Sequence, residues 1–269
     1  MLPLIQGCSK SAPAPDVAAA TGNSSTVTAS TNSATHFLDE TIKVGDEERT
    51  YRLLVPDSVD ANKPAPIVFA FHGMGGDSAG NMSVTSGLSE LATQNKFIVV
   101  YPEAGSDFIP GNGFVKGWAL STARARSDLV FFDALLSQMQ SRYHIDPAAI
   151  YLTGMSNGAY FAHLLGRERA NEVAAVAAHS GELGQFDLGL IDTARKFPVL
   201  IIHGAADPVF AVQMGRDARD VYTKAGHPVT YVEIPDWGHA WDKRVDGQIW
   251  DFFSSHKLPA TPEKTDPKP

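Results

Sequence analysis

The chain has a single cysteine, Cys8, among its 269 residues, so no internal disulfide can form. It contains none of the paired Cys or His spacings that hold zinc, and no metal or other cofactor is expected. It also lacks a basic surplus: 22 Lys and Arg stand against 30 Asp and Glu, a formal net charge of −8. That balance argues against nucleic acid as a partner, which would require a positive face; otherwise it bears on solubility and not on fold. No apolar run of roughly eighteen residues or more occurs, the length a transmembrane helix needs. What is present is length enough for one large α/β domain or two small ones, with a core able to fold without cross-links.

Residues 9–35 are almost wholly Ser, Ala, Thr, Pro, Asn and Gly, with Val17 and Val27 the only apolar side chains larger than alanine. Such a stretch buries too little to offset its ordering entropy, so 1–35 reads as a disordered tether. The proline-rich, charged end 257–269 reads as a disordered tail. The folded unit is expected over 36–256. Inside it, Thr41–Val55 has the pattern of a hairpin turning near Gly45-Asp46. Short apolar runs at Ile67–Phe71, Phe97–Tyr101, Ile150–Thr153, Val173–Ala178, Val199–His203 and Val229–Ile234 suit buried strands. Helical stretches are predicted over Ser86–Asn95, Asp128–Tyr143 with Ser127 as cap, Ser156–Leu165, Val212–Lys224 and Val245–Phe253. Strands separated by helices after a hairpin predict an α/β fold, with a mostly parallel central sheet and helices on both faces. Ligands in such sheets sit beyond the carboxyl ends of the strands, so the chemistry is sought just after each apolar run.

Four strand ends stand out. One run is followed by Gly154-Met155-Ser156-Asn157-Gly158. Glycines two before and two after the serine allow a sharp strand-to-helix turn that lifts the Ser156 hydroxyl clear of the sheet at a helix N-terminus. The string alone arises by chance in roughly one chain of this length in ten at ordinary Gly and Ser frequencies; its place between a strand and a helix is what marks Ser156 as a nucleophile. A serine hydroxyl needs a base. Of nine histidines, His239 alone lies on a loop after a late strand and downstream of a candidate acid. His72 and His203 end strands before glycine, where a ring bonded to loop backbone is the better reading, and His179 is placed to line the site. Asp207, after the run from Val199, is the expected orienting acid. Asp236 and Asp242 are rivals but stand too near His239 along the chain. The order Ser, Asp, His is that of α/β-hydrolases. An oxyanion needs two preorganised donors; the backbone N–H of Asn157 and that of Met74, in the glycine-rich loop His72–Gly76, are the candidates. That loop lacks the Lys and Ser/Thr of a phosphate cradle.

These motifs resemble the small secreted esterases that include polyhydroxybutyrate depolymerases and feruloyl or acetylxylan esterases. The stretches that carry the likeness are 66–73, Gly117-Trp118, 127–132, 150–158, 203–209 and Gly238-His239-Ala240-Trp241. The resemblance implies the α/β-hydrolase fold and hydrolysis of carboxylic esters, polymeric ones included, through an acyl-enzyme, without metal or cofactor. It also implies a triad at Ser156, Asp207 and His239. Ala159 stands where many members carry glycine, and the disulfides of many secreted members are absent. The short span between Ala178 and Val199 predicts no large lid and an open site. The loop Pro102–Arg126 carries Phe108, Ile109, Phe114 and Trp118, and a long loop of this kind is usually functional. Trp118, together with His179 and Trp241, is therefore expected to contact substrate.

Two other functions compete: a peptidase of the same fold, and a non-catalytic binding protein, which would predict a broken triad. A dienelactone-type hydrolase would carry cysteine at position 156. Ile5-Gln6-Gly7-Cys8 resembles the end of a bacterial lipoprotein signal, which implies a lipid anchor at Cys8 and a secreted or cell-envelope location. The seven residues before it include no basic residue, so the segment reads as a truncated signal.

Overall fold

The alternation of buried and exposed residues in the first strands, and a turn at Gly45 with φ of 61°, produce the expected hairpin: β1 (Phe37–Val44) against β2 (Glu47–Leu54). The computed structural model describes residues 36–75, 78–119, 121–183 and 193–259. The elements that follow are β3 (Ala65–Phe71), α1 (Ala79–Thr85), α2 (Leu88–Asn95), β4 (Ile98–Pro102), β5 (Ser106–Ile109), β6 (Gly113–Lys116) and α3 (Thr122–Arg142). The second half contains β7 (Ile145–Met155), α4 (Asn157–Glu168), β8 (Ala175–His179), β9 (Val199–Gly204), α5 (Val212–Lys224), β10 (Val229–Ile234) and α6 (Asp246–Ser254).

Eight strands form one sheet in the order β1-β2-β4-β3-β7-β8-β9-β10. The hairpin joins it antiparallel through β2 and β4, and every later pairing in that sheet is parallel. The central strands are buried on both faces, and their side chains alternate between two cores. Ile67, Phe69 and Phe71 of β3 face one core with Phe132, Leu135 and Met139 of α3, Phe161 and Leu165 of α4, and Tyr222 of α5. Val68 and Ala70 face the other, with Met82 of α1, Leu88 and Ala92 of α2, and Ile249 and Phe253 of α6. This period of two is what a strand dictates, and each large apolar side chain so enclosed contributes about 1.5–3 kcal/mol. The chain passes from β3 to β4 on one side and returns to β7 on the other. Such a reversal leaves a crevice at the carboxyl ends of β3 and β7.

Three expectations need correction. The long helix α3 begins at Thr122, with Ser121 as cap accepting from Arg124 N at 3.2 Å, not at Asp128 with Ser127. Its first turns are half-exposed and mostly polar, so they carry no apolar periodicity to read. The loop Pro102–Arg126 contains a second small sheet, the hairpin β5–β6, whose turn uses Gly111 and Gly113 at φ of 87° and 74°. The tail is tied down at its start: Leu258 N donates to Ala148 O at 2.8 Å, and Lys257 pairs with Asp146 at 2.7 Å. The tether 1–35, the rest of the tail and most of the span where a lid was judged absent, residues 184–192, lie outside the described residues.

Candidate active site

The strand-to-helix turn between β7 and α4 is built by contacts that only glycine permits. A Cβ at Gly158 would lie 2.5 Å from the carbonyl oxygen of His72 and closer still to that of Phe71. One at Gly154 would lie 2.9 Å from Phe71 O and closer to Gly158 itself. The turn therefore packs directly on the end of β3. Ser156 between them has φ of 56° and ψ of −121°, a conformation that costs a non-glycine residue of order 1–3 kcal/mol. Its N–H donates to His179 O at 3.0 Å, which holds the strained residue in place. The Ser156 side chain is half-buried.

The turn brings Ser156 Oγ to 2.9 Å from His239 Nε2, while His239 Nδ1 lies 2.8 Å from Asp207 Oδ2. The second Asp207 oxygen accepts from Val209 N at 2.8 Å and Phe210 N at 2.9 Å. Burial alone would raise the pKa of Asp207, but the hydrogen bonds from His239, Phe210 and Val209 outweigh it and hold the carboxyl below its ordinary value. The ionised carboxylate is an acceptor only, so the proton of His239 sits on Nδ1 and Nε2 is left to accept from the Ser156 hydroxyl. Phe210 closes one side of the imidazole, edge-on at 5.4 Å. The end of β9 meets the histidine loop at Gly204, where a Cβ would lie 2.8 Å from Gly238 O, and Ala206 N donates to Trp237 O at 2.9 Å.

Met74 and Asn157 stand on either side of the crevice. Asn157 is the first residue of α4, where helix geometry supplies no acceptor for its N–H. Its side chain clamps the backbone of Trp118: Oδ1 accepts from Trp118 N at 2.6 Å and Nδ2 donates to Trp118 O at 3.0 Å. The loop carrying Met74 is joined to the β5–β6 hairpin by Gly75 N donating to Lys116 O at 2.8 Å.

The three residues expected to touch substrate do not line the crevice. Trp118 is fully buried, stacked on Phe161 at 4.9 Å and edge-on to Phe71, with its indole N–H donating to His72 O at 3.0 Å. Its ring completes the core beneath the loop, because a large aromatic buries more apolar area there than it could against solvent. His179 is fully buried as well, and Trp241 is 7% exposed with its N–H on Asp246 Oδ1 at 2.7 Å. In the same long loop it is Phe108 and Phe114 that face solvent, paired edge-on at 5.5 Å. His72 and His203 take the backbone-bonded roles expected of them, to Gly73 O and Ala104 N, and to Phe210 O, respectively. The rival Asp242 is occupied by Arg244 at 2.6 Å.

Sequence reasoning missed Asp128, Arg49 and Asp246. The buried Asp128 accepts from Ala119 N and from Arg49 at 2.9 Å each, and Arg49 lies over the Phe131 ring. Asp246 joins Trp241 to Gly87 N. Asp128 lies in the stretch 127–132 that carries the family likeness, but no local pattern gives its partner, and none marks Arg49 or Asp246. Among the described residues no cluster of three or more His, Cys, Asp or Glu could hold a metal ion, and no helix is long and apolar enough to cross a membrane.

A family model described as phospholipase/carboxylesterase matches residues 58–257. The chain belongs to that family. Among the relatives of this family member, feruloyl esterase C of Emericella nidulans is 30% identical over 199 residues, 74% of this chain and 70% of that one. Feruloyl esterase D of Neurospora crassa is 28% identical over 194 residues, 68% of this chain but only 62% of its own length. The solved ferulic acid esterase of Anaeromyces mucronatus superposes with a TM-score of 0.62 at 18% identity, covering 82% of this chain and 90% of that one. At that identity the likeness establishes the α/β-hydrolase fold, which the strand order above already describes.

Proposed function

We propose that this family member is a serine esterase. On this reading it hydrolyses carboxylic esters through an acyl-enzyme, with residues 36–256 as the catalytic unit. The observation that carries the reading is the relay from Asp207 through His239 to Ser156, at 2.8 and 2.9 Å, on a strained strand-to-helix turn. In acylation, Ser156 Oγ attacks the ester carbonyl carbon as His239 Nε2 takes its proton. The tetrahedral oxyanion is met by the N–H groups of Asn157 and Met74, each such donor being worth about 10²–10³ in rate. His239 then gives its proton to the departing alkoxide and the acyl group stays on Ser156. Water, deprotonated by the same nitrogen, attacks the acyl-enzyme; the bond to Ser156 Oγ then breaks, His239 returns the proton to that oxygen, and the acid is released. Asp207 holds the imidazole in the required tautomer and stabilises its cationic form.

The substrate class proposed is an ester of an aromatic or polymeric partner: feruloyl, acetyl-polysaccharide or polyhydroxyalkanoate. The names of the feruloyl esterase relatives support the first of these. We propose further that Cys8 anchors the enzyme to a cell envelope; supporting this are Ile5-Gln6-Gly7-Cys8 and the polar stretch after it. The decisive experiment is hydrolysis of a p-nitrophenyl acyl series by wild type and by Ser156→Ala. The substitution should cost about 10⁴–10⁶-fold in kcat. A variant as active as wild type would sink the mechanism.

A further inference from the structure

His179 was expected at the crevice and instead stands behind it, between the two loops that carry the nucleophile and the base. It ends β8. Its carbonyl oxygen accepts the Ser156 N–H at 3.0 Å, the bond that holds the strained nucleophile. Its ring Nε2 accepts the backbone N–H of Asp242 at 3.2 Å, three residues beyond His239. Nε2 therefore carries no proton, and Nδ1–H donates to Ser180 Oγ at 3.0 Å. The flat of the ring stacks on Trp241 at 5.1 Å and 22°, two residues beyond His239. Trp241 is in turn held by Asp246, which is bonded to Gly87 N at 2.9 Å. Burial drives the pKa of His179 down to about 4; Asp242 and Asp207 act against that, and His203 and His239 with it. The ring is thus a neutral acceptor across the working range of an esterase.

We propose that His179 is the positioning residue that sets the His239 loop in register with Ser156. One residue holds the nucleophile with its carbonyl and the loop of the base with its ring acceptor. The inference rests on the triad reading above. Its physical basis is that the Ser156–His239 bond joins two separate strand ends, β7 and β10, and that misplacing a reacting group by about 1 Å costs roughly 10²-fold in rate. Without the acceptor, Asp242 N–H is left buried and unpaired, and the loop must move to satisfy it.

The test compares full-length wild type, His179→Leu, His179→Gln and Ser156→Ala on p-nitrophenyl acetate, with rates expressed per active site titrated by an organophosphonate for the first three and per mole of protein for Ser156→Ala, which has no serine to titrate. Leucine keeps the bulk and removes the acceptor; glutamine places an oxygen near the position of Nε2. We expect His179→Leu to lower kcat about 10–100-fold with KM changed less than about 2-fold, and His179→Gln to recover most of the loss. A merely structural role would lower the melting temperature and the fraction of titratable sites while leaving kcat per site alone. If the leucine variant does not fold, His179→Asn replaces it, because the shorter amide reaches Ser180 but not Asp242. Wild-type kcat per site in the acceptor-free variant, or equal losses in it and in the glutamine variant, would overturn the inference. Those results leave the esterase reading standing as long as wild type is active and Ser156→Ala is not. An inactive wild type overturns both.

Discussion

The turn Gly154–Gly158 and the segment Glu103–Ser121 meet at Asn157, yet different forces hold them. The turn is fixed by backbone against backbone: Gly154 and Gly158 lie on the carbonyls at the end of β3 with no room for a Cβ. The segment is held by side-chain bonds, some its own and some reaching in from elsewhere. Glu103 pairs with Lys116 and accepts from Ala79 N, Asn157 clamps Trp118, and Asp128, backed by Arg49, takes Ala119 N. Its aromatics divide accordingly, with Trp118 in the core and Phe108 and Phe114 63% and 80% exposed. The candidate nucleophile Ser156 sits on the first kind of structure; the second kind lies beside it.

Four variants can break or sharpen that contrast. The largest effect belongs to the relay that reaches the turn through His239. Asp207→Asn should lower kcat on a p-nitrophenyl ester by about 10⁴-fold through the wrong histidine tautomer, with little change in melting temperature. A loss below about tenfold would remove Asp207 from the relay. Next, Arg49→Met strands the Asp128 carboxylate and should cost about 3–5 kcal/mol of stability. Burial already raises the pKa of Asp128 above its ordinary value, against the pull of Ala119 N–H and Arg49. Losing the arginine raises it further. A folded-state pKa above the unfolded one favours the fold at low pH and loses that advantage as pH rises. The deficit should therefore be largest at pH 8 and shrink on acidification, as read by urea denaturation at both values; a deficit independent of pH would assign the anchoring to packing. Third, Gly158→Ala should destabilise by about 1–3 kcal/mol, since the atoms it meets are backbone carbonyls that cannot swing away. A neutral outcome would show that β3 and the turn can separate. The smallest effect is expected from Phe108→Ser with Phe114→Ser, within about 0.5 kcal/mol of wild type by denaturant titration, because neither ring is buried on folding. A larger loss would mean that the hairpin depends on its aromatic pair.

The same contrast governs what could be read without coordinates. The parallel sheet, the hairpin at Gly45, the candidate residues Ser156, Asp207 and His239, and the backbone-bonded His72 and His203 were legible in the sequence. Each depends on local rules: apolar runs that suit buried strands, glycines required where backbones touch, and residues that follow strand ends. The fate of Trp118, His179 and Trp241 was not legible, since an aromatic next to a motif reads the same whether its ring points into the crevice or into the core. The start of α3 was missed because its first turns are mostly polar, and the cap at Ser121 has an equally plausible neighbour at Ser127. By itself the sequence determined which residue types stand at which strand ends, because backbone sterics and hydrophobic periodicity act over a few residues. Only the tertiary structure decided that Arg49 answers Asp128, that Asp246 answers Trp241 and Gly87, and that the buried ring of His179 meets Asp242 N, because those partners are brought together by packing across the sheet and leave no trace in local spacing.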